Sequence, residues 1–175
     1  MREYKFRGKR KNNSEWVYGC YLKRWTGINY KHFIHDGLWE YEVDPETVGQ
    51  YTGKHDKNSK EIYEGDIVRI TTNERIKEEQ YGRGRKTYTM GVYEDIVSVG
   101  VVRWGKSNYP YNKINIYYVD TEKEISYYTY FYQWRASDPP RKITESIKPA
   151  LEEVKSVEVI GTVYDNPELL KEGSV

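Results

Sequence analysis

The sequence predicts a mainly β protein: a small, barrel-like, strongly bent antiparallel sheet followed by a short C-terminal helical turn. Three observations predict it. Tyrosine supplies 19 of 175 residues and aromatics 15% of the chain, while Met and Phe number only 2 and 3, so β-favouring residues dominate the apolar stretches. Short runs of β-branched and aromatic residues recur between Gly, Asn and Asp turns, the spacing of an all-β barrel or sandwich rather than of βαβ units. Helical periodicity is confined to the last third and is interrupted by proline. A chain of this length can bury a real core, and residues 1–175 read as a single domain.

Strands are expected at 3–7, 16–22, 30–34, 48–51, 67–70, 97–104, 114–119, 126–134 and 157–163. Alternation breaks at Gly100, which predicts a bulge or sharp bend there. Residues 71–90 carry Glu74, Arg75, Lys77, Glu78, Glu79, Arg83, Arg85 and Lys86 with almost no apolar content. They read as a mobile loop or an extended hairpin inserted into the domain. Ile143, Ile147, Leu151 and Val154 recur at helical spacing, but Pro149 leaves at most a short helix over 149–155. At the end, Asp165 or Asn166 suits a cap, Pro167 the first helical position and Gly173 the terminating left-handed residue. A turn or two of helix is expected there.

Lys and Arg number 28 against 27 Asp and Glu, a formal charge of +1, so no whole-protein field draws in polyanions. Cys20 is the only cysteine, which excludes an intramolecular disulfide and a zinc site built on several thiolates. Within its aromatic strand it reads as a small buried hydrophobe. No apolar run reaches signal-peptide or membrane-span length. The expectation is a soluble, unprocessed protein of the bacterial cytoplasm without membrane contact.

Two blocks stand out: Gln50-Tyr-Thr-Gly-Lys-His-Asp-Lys-Asn-Ser-Lys-Glu-Ile-Tyr-Glu-Gly-Asp-Ile-Val68, and Val157-Glu-Val-Ile-Gly-Thr-Val-Tyr-Asp-Asn-Pro-Glu-Leu-Leu170. The first reads as strand, loop and strand, with a turn at Asp56–Ser59 in which Asn58 tolerates positive φ and a tight reversal at Gly65-Asp66. Together the blocks resemble the signature of the YopX family, small proteins encoded mostly by bacteriophages and prophages of Gram-positive bacteria. Residues 2–7 and 100–104 match more loosely. The family pattern carries Asn-Gly where this chain has Asn58-Ser59, which makes a two-residue turn with positive φ at both positions less comfortable here. The resemblance implies a lineage and a β fold; it implies no chemistry.

The candidate site residues fall into three groups. Asp56, Glu64 and Asp66 could form a carboxylate site for an enzyme, although their simplest role is structural: Asp56 and Asp66 accepting backbone hydrogen bonds in turns, and Glu64 solvated. Arg2, Lys5, Arg7, Lys9 and Arg10, interleaved with Tyr4 and Phe6, form a basic strand; with Arg83, Arg85 and Lys86 of the Gly82–Lys86 loop they could track a phosphate backbone. An edge strand protected by charge explains the same residues. An acidic stretch from Asp36 to Glu46 balances this basic strand. Tyr117, Tyr118, Tyr128, Tyr130, Tyr132 and Trp134 are too many rings for one face of a strand pair, so they are expected either in a wide aromatic core or at an interface. His32 and His35 lie on opposite faces of a strand, and no metal or cofactor is expected. The leading reading is a non-enzymatic phage or prophage accessory or regulatory binding module. It would act through self-association or contact with another phage or host protein; nucleic-acid binding is the alternative.

Overall fold

The computed structural model describes the backbone of residues 4–83, 86–105, 116–121, 124–129, 141–146 and 148–172, and the side chains of 4–73, 95–105, 116–121 and 148–171. The described strands are β1 (Phe6–Lys9), β2 (Trp16–Trp25), β3 (Tyr30–His35), β4 (Glu40–Glu42), β5 (Gly49–His55), β6 (Glu61–Tyr63), β7 (Asp66–Arg83), β8 (Lys86–Gly105), β9 (Ile116–Thr121), β10 (Glu124–Thr129), β11 (Arg141–Ser146) and β12 (Ser156–Thr162). A single 3-10 turn, Pro45–Thr47, lies between β4 and β5, and a four-residue helix α1 (Leu169–Glu172) follows β12. No helix among the described residues is long and apolar enough to cross a membrane.

The strands form a six-stranded sheet in the order β4-β3-β2-β1-β5-β6, a four-stranded sheet β12-β7-β8-β9 and the hairpin β10-β11, with antiparallel pairing throughout. The six-stranded sheet bends until Arg10 forms a bridge with Val43, supported by Lys11 N–H to Glu42 O at 3.0 Å and Asp44 N–H to Lys9 O at 2.9 Å. The bend matches expectation, but no barrel closes. Phe6 and Arg7 of β1 pair with β5, so only the end of β1 is left to meet Val43.

β7 and β8 pair from Ile67 opposite Val101 to Arg83 opposite Lys86, so residues 71–83 and 86–90 lie in the two arms of one long hairpin. At about 3.3 Å per residue, an 18-residue strand such as β7 spans up to about 60 Å. The base of this hairpin builds the main apolar core. Ile62, Val68, Ile70, Val102, Tyr117, Val119, Leu151 and Val159 cluster there, with Val154 and Val157 packed against them.

Several expectations are corrected. Gly100 pairs in continuous register with Val68 and Thr121; it is not a bulge. It is needed for close approach, because a Cβ there would lie 2.6 Å from Asp120 O and 2.8 Å from Val119 Cγ1. Residues 149–155 form no helix. Pro149 O accepts from Val119 N–H and Leu151 N–H donates to Tyr117 O, both at 2.9 Å, so the segment covers the outer edge of β9 before turning. Proline suits an edge that asks only for an acceptor. Cys20 is exposed, because it shares an outward row of β2 with Tyr18 and Leu22, both also exposed. The helical turn forms at Leu169–Glu172, but Asp165 does not cap it; Gly173 lies outside the described residues. β4, β6 and β11 were not expected as strands, being short or polar. Of the predicted strand 126–134, residues 130–134 lie outside the described residues.

Candidate functional site

The two signature blocks are packed together. In the first, Asp56 Oδ1 accepts from Asn58 N–H at 2.7 Å and Lys60 N–H at 2.9 Å, closing the turn between β5 and β6. Its Oδ2 accepts from Val159 N–H at 3.0 Å, and Lys57 N–H donates to Val157 O at 2.9 Å. The turn thereby covers the outer edge of β12. Ser59, not Asn58, takes positive φ, at 66°. With Asp56 N–H bonded to Lys60 O at 2.8 Å, this is a three-residue loop ending in a left-handed residue, not a two-residue turn. Burial opposes ionisation of Asp56, but the N–H groups of Val159, Lys60 and Asn58 outweigh it and hold the carboxyl below its ordinary value.

A few residues on, β6 serves two interiors at once. Ile62 enters the apolar core, while Tyr63, on the alternate face, stacks with aromatic residues of the six-stranded sheet. Asp66 Oδ2 accepts from Tyr63 N–H at 2.8 Å, and Oδ1 lies 2.6 Å from Arg7 Nη1. Both side chains are buried. The Arg7 guanidinium is 4.7 Å from the Trp16 ring and 4.9 Å from the Tyr63 ring, and it donates to Glu64 O at 3.3 Å. Burial pushes the Asp66 carboxyl up, with Arg7 and the Tyr63 N–H only partly offsetting it. Burial, and donation to Glu61 at 2.6 Å, likewise raise Tyr63.

The C-terminal block closes over this pair. Asp165 accepts from Trp16 Nε1 at 2.9 Å and pairs with Lys9, and Tyr164 packs on Trp16 at 5.8 Å and donates to Glu46 O at 2.8 Å. Asp56 and Asp66 thus hold backbone and a buried cation. Glu64 is half-buried, with Oε1 3.4 Å from Trp104 N, and so is not simply solvated. No group of three or more His, Cys, Asp or Glu among the described residues is arranged to hold a metal ion.

The basic strand is engaged internally. Lys5 pairs with Glu61 at 2.7 Å, Arg7 with Asp66, Lys9 with Asp165, and Arg10 with Glu15 at 3.4 Å while lying over Tyr41. The acidic stretch is drawn in likewise, Glu40 to Arg24 and Glu42 to both Lys11 and Lys31. Arg83 and Lys86 sit opposite each other where the long hairpin ends, in the other sheet from β1. Arg2 and Arg85 lie outside the described residues, as do the side chains of Arg83 and Lys86. His32 Nδ1 meets the Tyr21 hydroxyl at 2.5 Å, and His35 Nδ1 accepts from Gly37 N–H at 3.1 Å.

Among the tyrosines, Tyr117 belongs to the apolar core, and Tyr118 lies 5.8 Å beneath the Lys148 ammonium. The side chain of Tyr128, and Tyr130, Tyr132 and Trp134 altogether, lie outside the described residues. Exposed large apolar side chains gather elsewhere. Trp25, Ile28 and Tyr30 stand at the β2–β3 turn, and Leu38 and Trp39 at the β3–β4 turn; Ile28, Leu38 and Trp39 are 88%, 83% and 68% exposed. Sequence reasoning passed over them because they stand in ones and twos at the ends of strands or beside Gly, Asn and Asp. The available signal was aromatic and aliphatic residues placed inside turns, where nothing can cover them.

No curated protein and no solved structure matches the chain. The family model described as YopX protein matches residues 5–126 and 108–171, which include both signature blocks and every contact around Arg7 and Asp66, and on that match the chain belongs to the YopX family.

Proposed function

We propose that the chain is a non-enzymatic binding module that self-associates, with the β2–β3 and β3–β4 turns as its contact elements. The observation that carries this reading is the exposure of Trp25, Ile28, Tyr30, Leu38 and Trp39 at the two ends of one well-paired strand, β3. Large apolar side chains held in water by a defined backbone mark interaction surfaces, and tryptophan and tyrosine supply much of the binding energy at such surfaces. The charges around these turns are paired within the chain, Arg24 with Glu40 and Lys31 with Glu42, so the exposed apolar side chains are what a second copy would cover. The roles of Asp56 and Asp66 as backbone and cation anchors support a non-enzymatic reading. Family membership supports a phage-associated role.

The test is sedimentation velocity over a concentration series. The wild type should exceed the monomer mass of 20.9 kDa, and an Ile28→Lys/Trp39→Lys variant should return to it with an unchanged circular dichroism spectrum. A wild type that stays at monomer mass at every concentration overturns self-association.

A further inference from the structure

The inward row of the four-stranded sheet ends in a residue that stays partly exposed. Val102 and Trp104 are alternate residues of β8, paired with Val119 and Tyr117 of β9, so Trp104 continues the row that builds the apolar core. Val102, Val119 and Tyr117 are buried, yet Trp104 is 45% exposed. Its ring packs against Tyr117, the one aromatic partner it has among the described residues, with centroids 4.7 Å apart and planes at 64°. It lines a cleft of about 250 Å³ together with Ile116, Tyr117 and Leu151.

The other sheet contributes as well: Thr52 and Lys54 of β5 line the cleft, together with Glu152. The register of β5 on β6 shifts between Tyr51 and His55, and Gly53, in the middle of that irregularity, has φ of 80°, a conformation that strains any other residue. Such a bulge re-aims the side chains beside it, here Thr52 and Lys54. The Thr52 hydroxyl donates to Ile62 O at 2.9 Å and accepts from Lys54 N–H at 3.2 Å, so towards a ligand it can offer only its second lone pair, as an acceptor. Lys54 is exposed and forms no ion pair among the described residues.

We propose that this cleft binds a nucleotide, with the base against Trp104, the phosphate on Lys54, and Glu152 and Thr52 accepting from base N–H groups. An exposed aromatic ring, apolar neighbours, one cation and one carboxylate match the three parts of a nucleotide: a π-face, an anion and a donor-bearing edge. The volume lies just below the range of about 300–1,000 Å³ of sites for larger ligands, which suits a single base with its sugar. A free nucleoside monophosphate and one unit of a single strand present the same groups, and the experiment separates them.

Isothermal titration of the full chain with AMP, GMP, CMP and UMP should show saturable binding to at least one. Lys54→Ala, an exposed change that leaves the fold intact, should weaken that nucleotide about tenfold, the loss of one charge-assisted contact, and leave its nucleoside unaffected. Trp104→Ala should abolish binding, and Trp104→Phe should retain part of it. Hexanucleotides that bind at least ten times more tightly than the monophosphate identify a strand as the ligand; equal affinity identifies the free nucleotide. No saturable heat with any of the four, or heat unchanged in both Lys54→Ala and Trp104→Ala, overturns the proposal.

Discussion

The four-stranded sheet buries Val68, Ile70, Val102, Val119 and Val159 as an aliphatic layer, whereas the six-stranded sheet buries Arg7 between Trp16 and Tyr63 and binds its surface with ion pairs. The two interiors meet at β6, where Ile62 and Tyr63 point opposite ways, and at Asp66, where β7 begins and Arg7 is neutralised. The first interior draws on a non-directional force that tolerates small shifts. The second depends on a charge with one partner, so it is strong only while both members are present. A molecule built this way should unfold by losing the junction before the aliphatic layer.

The sharpest way to break that contrast is to remove one partner of the pair. Asp66→Ala or Arg7→Ala should each cost about 3–5 kcal/mol in urea unfolding by stranding a buried charge. Arg7→Ala with Asp66→Ala should cost much less than the sum of the two single losses, and additive losses would show that the two residues are not coupled. Next in size, Ile70→Ala should cost about 2–5 kcal/mol by opening a cavity in the aliphatic layer, with the same loss at low and high salt.

Asp56→Ala should cost about 2 kcal/mol, since Val159, Lys60 and Asn58 lose the acceptor for their N–H groups. It also bears on acid stability. Asp56, Glu61 and Asp165 have carboxyls held below their ordinary values, in each case against the opposing effect of burial: Asp56 by backbone N–H groups, Glu61 by Lys5 and the Tyr63 hydroxyl, and Asp165 by Lys9, Trp16 and Thr162. The folded state therefore binds fewer protons at these sites than the unfolded chain, and stability present above a pH of about 4 is lost as pH falls through their folded values. Asp66 has the opposite sign, its raised carboxyl favouring the folded state as pH falls. Unfolding midpoints at neutral and acid pH should show a net loss in acid, and a smaller one in Asp56→Asn.

The smallest effect is a gain. Ser59 holds a left-handed conformation that glycine adopts freely, so Ser59→Gly should stabilise the loop by up to about 1 kcal/mol, read as a raised melting temperature.

The β class, the position of most strands and the two signature blocks were legible in the chain, because alternation and turn residues act over a few positions and need no tertiary information. So were the roles of Asp56 and Asp66 as acceptors in turns, since an Asp followed closely by turn residues meets its own backbone first. The burial of Arg7 was not legible. In sequence it is one of a run of cations, and only the folding around it of Trp16 from the next strand and of Tyr63 and Asp66 from a distant part of the chain separates it from Lys5 and Lys9. Tyr117 and Trp39 are the same kind of case: an aromatic side chain is core or surface according to what the rest of the chain brings over it. Local periodicity determined which segments extend and where they turn. The tertiary structure alone decided that residues 50–68 and 157–170 form one unit, that β1 divides its outer edge between β5 and Val43, and that Trp104 is left partly exposed beside Lys54, because each depends on contacts across many tens of residues that no local pattern encodes.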